Sequence, residues 1–339
     1  MRESMRTFLD EYIASLGAEH DDAAVAVMTD IHTADAEPYA MMNRMAQSGV
    51  ADVCVTLGDA ISSRYDTRQE AVEMLEGAME LLHREPLQAA VYPLRGNHDV
   101  NPVKDFDTAK MVSNRDYFRL SGGGKKPGCA GPDKNYGIYD LEQAKVRLIF
   151  LDCGDIYDDG GRRLSTNNET MLRQEQFDWF CRRALDLSGK EAPGDWAVMV
   201  LSHASMGTLC PDAFRDVLDA FTGGTAVRVD YPYDSAGCAY TLRVCADFTR
   251  QGPGQFICSV CGHEHRDSVT WLGRHREVHL ICDNQECYRL DGEDRWIWYT
   301  RTPGTAEEHA FDTILLDRKT KTALFRRFGL GSDRVIRWE

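Results

Sequence analysis

Five short blocks of the chain carry the donor atoms that a pair of divalent metal ions needs. In order they are Asp30-Ile31-His32, Gly58-Asp59, Gly96-Asn97-His98-Asp99, the lone His203 and Gly262-His263-Glu264-His265. Asp30, His32, Asp59, Asn97, His203, His263 and His265 together offer carboxylate, imidazole and amide-oxygen ligands. That mixture suits Mn, Fe or Zn better than Mg or Ca alone. Asp59 has two carboxylate oxygens and is the natural bridge between two ions, and Gly58 before it permits a close backbone approach. Asp30 and His32, two residues apart, can be turned onto one ion. His263 and His265 have the same spacing and could address different ions. His203 is the only histidine between His98 and His263.

Two metals about 3.5–4 Å apart clamp a hydroxide and a substrate oxygen for in-line displacement. The leaving group then needs a proton. His98, beside the ligands, can supply it or stabilise charge developing on phosphorus. The neighbouring carboxylate of Asp99 can fix that ring and its tautomer. The expected activity is hydrolysis of a phosphate ester, mono- or diester, with two divalent transition metal ions as cofactors.

Such residues are far apart in sequence, so a scaffold must gather them. Apolar runs at 23–28, 53–57 and 89–94 read as buried strands, and each ends just before a polar block. Residues 67–82 repeat apolar side chains at helical spacing between the second and third runs, giving parallel βαβ units. Residues 3–16 read as an N-terminal helix through Met5, Phe8, Leu9, Tyr12, Ile13 and Leu16. Further strands are expected at 146–151, 197–201, 256–260, 278–281, 313–316 and 324–328, and a helix at 175–187. Asp30, Asp59, Asn97, His203 and His263 each follow an apolar run. In open α/β sheets ligands bind outside the carboxyl ends of strands, so five strand ends could bring these side chains to one edge.

The order of blocks resembles the calcineurin-like metallophosphoesterase superfamily, whose pattern is D-x-H, G-D-x-x-[D/N], G-N-H-[D/E], a His, then G-H-x-H. The resemblance spans Asp30 to His265. It implies a four-layer α/β/β/α sandwich, here with a C-terminal β-rich extension. It implies that Asp30, His32 and His265 hold one metal and Asn97, His203 and His263 the other, with Asp59 bridging and His98 as the transition-state or leaving-group histidine. Ser62 departs from the second block at a position that is not a metal ligand in the family. Residues 304–334 are similar to extensions on prophage-like bacterial members.

The remaining features bound this reading. The 339 residues suit a single domain, 1–339, comprising the helix at 1–20, a polar, Gly-rich insertion or lid at 101–135 and a C-terminal extension at 285–339. The net charge of −15 and the lack of a Lys/Arg stripe argue against nucleic acid as a partner. That weakens the alternative of a nuclease of the same superfamily. A non-catalytic scaffold is a second alternative, set against the completeness of the ligand set. No apolar run approaches the roughly 20 residues needed to span a bilayer, and the start of the chain has no apolar leader, so a cytoplasmic protein without a membrane partner is expected. The 11 cysteines are expected to be reduced thiols. Cys258 and Cys261 fall in or beside a strand-like run and read as core, and Cys282 with Cys287 is a weaker candidate pair. His20, His83, His275, His279 and His309 read as surface or packed residues, Glu264 as a bystander, and Arg64, Tyr65 and Arg266 as loop residues within reach of a phosphate. Asp152 and Asp155 could support the ligands, and Trp296, Trp298 and Tyr299 read as core or cap packing.

Overall fold

The computed structural model describes all residues except 18–21, 34, 64, 102–107, 127, 156–171, 236–237, 284–285 and 291–294. Its helices are α1 (Glu3–Leu16), α2 (Ala36–Ser48), α3 (Arg68–Leu82), α4 (Asn114–Leu120), α5 (Gln174–Trp179), α6 (Met206–Leu209) and α7 (Pro211–Gly223). The strands begin with β1 (Ala23–Met28), β2 (Val53–Thr56), β3 (Ala90–Pro93), β4 (Gly137–Leu141), β5 (Val146–Phe150) and β6 (Ala197–Leu201). They continue with β7 (Ala226–Ser235), β8 (Cys238–Asp247), β9 (Gln255–Cys261), β10 (Arg266–Leu272) and β11 (His275–His279). The last are β12 (Tyr288–Leu290), β13 (Trp296–Trp298), β14 (Ala310–Asp317), β15 (Thr322–Gly329) and β16 (Arg334–Arg337).

Two mixed sheets result. One has the order β16-β15-β14-β1-β2-β3 and the other β13-β12-β10-β11-β9-β6-β5-β4. In the first, β1, β2 and β3 run parallel and β14 joins β1 antiparallel, so the C-terminal strands complete the central sheet. In the second, β5, β6, β9 and β11 run parallel.

Strands buried on both faces read as continuous apolar runs, and the alternation of their side chains builds the layers. Ala24, Ala26, Met28 and Cys54 face α1, α2 and α3, whereas Val25, Val27, Val53 and Val55 face the second sheet. From β5 and β6, Leu148, Phe150, Met199 and Leu201 meet them across the middle core, and Ile149, Val198 and Val200 pack under α5 and α7. The outcome is the four-layer α/β/β/α sandwich. Helix α3 begins in a capping box, Thr67 with Glu70, and α2 is capped by the Asp35 carboxylate. The expected helix at 175–187 continues from α5 as one π-turn, Phe180–Ala184, with Leu185 N donating to Phe180 O. The expected strand at 278–281 sits earlier, as β11, because Leu280 and Ile281 already lead into the loop above the site.

The hairpin β7–β8 was not expected; it covers the outer core with Leu242, Val244 and Ala246. Trp296 and Trp298 are not core. They lie on an edge strand, 47% and 63% exposed, edge-on to Tyr288. Cys258 and Cys261 are buried free thiols in β9. Of the segment 101–135, residues 102–107 and 127 lie outside the described residues. In the described part, α4 is anchored by the buried Tyr117, whose hydroxyl donates to Leu94 O. Among the described residues no helix is long and apolar enough to cross a membrane.

A polar chain ties the N-terminus and the segment before β14 to the site edge. Arg2 pairs with Glu37 on α2, Glu37 faces His309 Nε2 at 3.4 Å, and His309 Nδ1 lies 3.1 Å from both Asp283 oxygens. Asp283 N donates to Thr29 O at the end of β1. Burial disfavours a charged His309, but Asp283 and Glu37 outweigh it and raise its pKa above the usual 6.5. The folded value is the higher one. The stabilisation is therefore complete below about pH 6.5 and is lost as pH rises through the folded pKa. We expect His309→Leu to lower stability by about 3 kcal/mol near pH 6, with a shrinking deficit toward pH 9 in denaturant titrations. A deficit independent of pH would show that the ring is not held protonated.

Candidate metal centre

The register of the sheets sets the geometry of the site. Met28, Thr56 and Pro93 are aligned across β1, β2 and β3, so the loops carrying Asp30, Asp59 and Asn97 leave the first sheet at one level. Leu201 and Val260 are aligned in the second sheet and release His203 and His263 opposite them. Backbone bonds continue past the strands, with Asp30 N to Gly58 O at 3.1 Å, His32 N to Asp59 O at 2.9 Å and Gly262 N to His203 O at 2.9 Å.

Five of the candidate ligands are not glycine yet have positive φ: Asp30 (52°), His32 (50°), Asp59 (51°), His263 (68°) and His265 (49°). Each such left-handed residue costs of order 1–3 kcal/mol and persists only where the surroundings over-determine it. The surroundings here are crowded. A Cβ on Gly96 would lie 2.1 Å from Asp59 Oδ1, and one on Gly262 would lie 2.0 Å from Thr29 Oγ1 and 2.2 Å from Asp30 Oδ2. These glycines permit contact between loops that any side chain would hold apart.

The side chains converge. Asp30, His32 and His265 form one group able to surround an ion, His32, Asp59 and His98 a second, and Asp59, His203 and His263 a third. Asn97 Oδ1 joins the third group, 2.9 Å from His203 Nε2 and 2.8 Å from His263 Nδ1. Asp59 Oδ2 lies 3.1 Å from His203 Nε2 and 3.6 Å from His32 Nε2, so one carboxylate faces both halves of the cluster. His203 Nδ1 faces Leu57 O at 3.1 Å and His265 Nδ1 faces Glu286 O at 3.2 Å, which turns their Nε2 atoms inward. Asp30, Asp59 and His203 are fully buried, while the His98 and His265 side chains are 35% and 31% exposed. The cluster is thus the floor of a site open on the His98 side.

Its electrostatics demand positive charge. Burial opposes ionisation of Asp59, but the charge and hydrogen bond of His203 bring it down to about 2. Burial likewise opposes a charged His203, yet Asp59 and Asp30 push it up to about 9. Burial pushes His98 and His263 down. In effect His203 holds a proton where the donors call for a cation. Buried oxygens and imidazole nitrogens around two carboxylates are the right donor set for divalent transition metals.

Asp99 does not face the His98 ring. Its buried carboxylate accepts from Gly96 N (2.8 Å), Ala60 N (2.8 Å) and Ile61 N (3.2 Å), and burial together with Asp59's charge pushes it up to about 6. His98 Nδ1 has no hydrogen-bond partner among the described residues, so Asp99 is not placed to fix its tautomer. Arg95, passed over in the sequence, is fully buried and grips Asp152 through Nε (3.1 Å) and NH2 (2.7 Å). A charged residue closing an apolar strand was the available signal. Asp155 pairs with Arg173 at 2.6 Å. Glu264 points away from the cluster, as its ligand neighbours on both sides imply, and Arg266 contacts it at 2.8 Å. Arg64 and His20 lie outside the described residues, and His83, His275, His279 and His309 have partners away from the cluster.

Comparison with known proteins agrees with this architecture. Residues 23–267 match the model of the calcineurin-like phosphoesterases, and the chain belongs to that family. It is a metal-dependent phosphoesterase, and its Asp and His groups are candidate ligands of a divalent metal centre. Among solved structures it is similar to a dimetal phosphatase from Danio rerio, at 14% identity and a TM-score of 0.60, covering 94% of this chain and 99% of that one. That likeness shows the fold alone. A phosphopantetheinyl hydrolase from Mycobacterium tuberculosis is also 14% identical, with 76% of this chain and 89% of that one covered, but its TM-score of 0.37 is too low to bear on the fold. None of the curated proteins searched matches the chain.

Gly262→Ala should weaken metal binding at least 10–100-fold, because the added methyl must displace Thr29 or Asp30. Competition with a chromophoric chelator measures this, and wild-type affinity in the variant would contradict the crowding argument.

Proposed function

We propose that the chain hydrolyses a phosphate mono- or diester at a centre of two divalent transition metals, Mn, Fe or Zn. In this reading Asp30, His32 and His265 hold one ion, Asn97, His203 and His263 hold the other, and Asp59 bridges. The observation that carries it is the position of Asp59, whose carboxylate is shared between two of the ligand groups and faces His203 and His32 together. When bound, the ions lower the pKa of a coordinated water and polarise the phosphorus–oxygen bonds.

The residues do the rest. Asp59 also accepts from His98 N at 2.7 Å, which fixes the His98 turn relative to the bridging carboxylate. His98, the more exposed ring with Nε2 3.9 Å from Asp59 Oδ2, stands where a phosphoryl oxygen or a leaving group would pass. It donates a proton to the leaving oxygen or a hydrogen bond to the phosphoryl group. Asp99 is a positioning residue that locks the Asp59 turn to the His98 turn through three backbone N–H groups. The substrate is a phosphate ester. The acid-rich surface gives a polyanionic nucleic acid no favourable field.

The test is turnover of chromogenic phosphate mono- and diesters by the protein loaded with Mn²⁺, Fe²⁺, Zn²⁺ or Ni²⁺. His98→Ala should lower kcat about 100-fold or more with metal content unchanged, and unchanged turnover of both esters would refute the role given to His98. Metal loading should also release a proton, because His203, raised to about 9, must deprotonate to become a ligand. Below pH 9 affinity should therefore rise up to about tenfold per pH unit for each proton displaced. Calorimetry in buffers of different ionisation enthalpy counts those protons, and a count of zero would remove His203 from the ligand set.

A further inference from the structure

Glu264 lies between two proposed ligands, and its carboxylate points away from them. The turn that carries it is unusual: His263 and His265 on either side both have left-handed backbone, and Glu264 N donates to Gly262 O at 2.8 Å. The carboxylate is held from three elements. Thr208 Oγ1 at the end of α6 donates to Oε1 at 2.8 Å, Arg266 NH2 at the start of β10 lies 2.8 Å from Oε2, and His279 Nδ1 at the end of β11 lies 2.6 Å from the same oxygen.

His279 is itself completely enclosed. Its Nε2 receives Arg266 NH2 at 2.9 Å and faces Thr270 Oγ1 at 2.8 Å. Arginine can only donate, so Nε2 is the acceptor and Nδ1 carries the hydrogen, on the side of the ring that meets both the Glu264 carboxylate at 2.6 Å and Cys261 Sγ at 3.3 Å. The Nδ1–H of the ring and the Arg266 guanidinium thus both favour a carboxylate at position 264.

We infer that Glu264 is a positioning residue that, anchored by His279, Arg266 and Thr208, holds the strained turn and thereby sets where His263 and His265 point. This rests on the reading of those two histidines as ligands. Its carboxylate is the one side chain of the turn directed away from the centre. Gly262 has no side chain, and both histidine rings are committed to the centre. Backbone bonds support both ends, His263 N to the Asp30 carboxylate at 3.0 and 3.2 Å and Tyr288 N to His265 O at 3.0 Å, and the Glu264 carboxylate is the anchor between them.

The experiment is Co²⁺ and Zn²⁺ binding by the full-length protein, read by chelator competition and by the ligand-field absorption of bound Co²⁺. Glu264→Ala should lower affinity about 10–100-fold and change the Co²⁺ spectrum, with little change in the melting temperature of the metal-free protein. Glu264→Gln keeps the Thr208 contact but offers His279 and Arg266 a donor, so it should recover only part of the loss. His279→Ala should weaken binding to a similar degree. The double variant should lose no more than the larger single loss, because the two act as one device. Thr208→Val provides a mild variant that removes one anchor should the larger changes impair folding, and a several-fold loss is expected. Wild-type affinity and spectrum in the Glu264 and Thr208 variants, or additive losses in the double variant, would overturn the inference. Failure of the wild-type protein to take up metal would instead overturn the metal-centre reading, and this inference with it.

Discussion

Among the described residues no lysine or arginine pairs with the buried Asp99 carboxylate, so hydrogen bonds must satisfy it, and they do so by drawing two loops together. Gly96, Ala60 and Ile61 aim their N–H groups at it. Gly96 belongs to the loop after β3, and Ala60 and Ile61 to the loop after β2. The same closeness lets His98 N donate to Asp59 and brings Gly96 against the Asp59 side chain. Two strand ends thereby become one rigid unit, and the left-handed backbone at Asp59 is part of it. The arrangement crowds acids: Asp59 and Asp99 repel, which helps raise Asp99 to about 6. A cation at Asp59 would relieve that repulsion, so the scaffold is electrostatically prepared for the ions its donors can bind.

The strands that carry the site were legible because they are buried on both faces. Such strands are uninterrupted apolar runs, and β1, β2, β3, β5, β6 and β9 are found within about a residue or two of the expected positions. The candidate ligand blocks, which the fold brings together, were legible because a polar cluster directly after a buried strand has little other reason to exist. What escaped lies on edges and outer layers. The β7 strand alternates Val227, Val229, Tyr231 and Tyr233 with Arg228, Asp230 and Pro232, a half-buried pattern weaker than a continuous run. Helix α2 spreads Tyr39, Met41, Met42 and Met45 over so much of its surface that no single stripe stands out.

The fine geometry of the site escaped for a different reason. Positive φ at a histidine or an aspartate is decided by contacts between loops remote in sequence, and no local pattern encodes it. Asp99 illustrates the limit. Adjacent to His98, it invited a side-chain role, whereas its backbone direction turned the carboxylate to the N–H groups beneath. Glu264 is the mirror case. Its neighbours excluded it as a ligand, and that told nothing of the three elements waiting for it on the other side.

The two sheets contribute candidate ligands separately, so the proposed centre depends on their relative position. Beneath it, Tyr92 of β3 stacks on Phe150 of β5 at 3.8 Å, and just above, Arg95 grips Asp152. Each partner of the ion pair lies two or three residues beyond its aromatic neighbour, so the stack and the pair link the same two strands at successive levels. Desolvation makes a buried ion pair a poor source of net stability compared with apolar packing. An apolar pair at this level could slide, whereas a bidentate guanidinium–carboxylate contact has one geometry. Asp152 is further held by Gln176, which accepts from its N at 2.8 Å and donates to its O at 3.0 Å. Arg95 is followed directly by Gly96 and Asn97. The pair therefore fixes the loop after β3 against the second sheet, from which His203 and His263 reach Asn97 Oδ1.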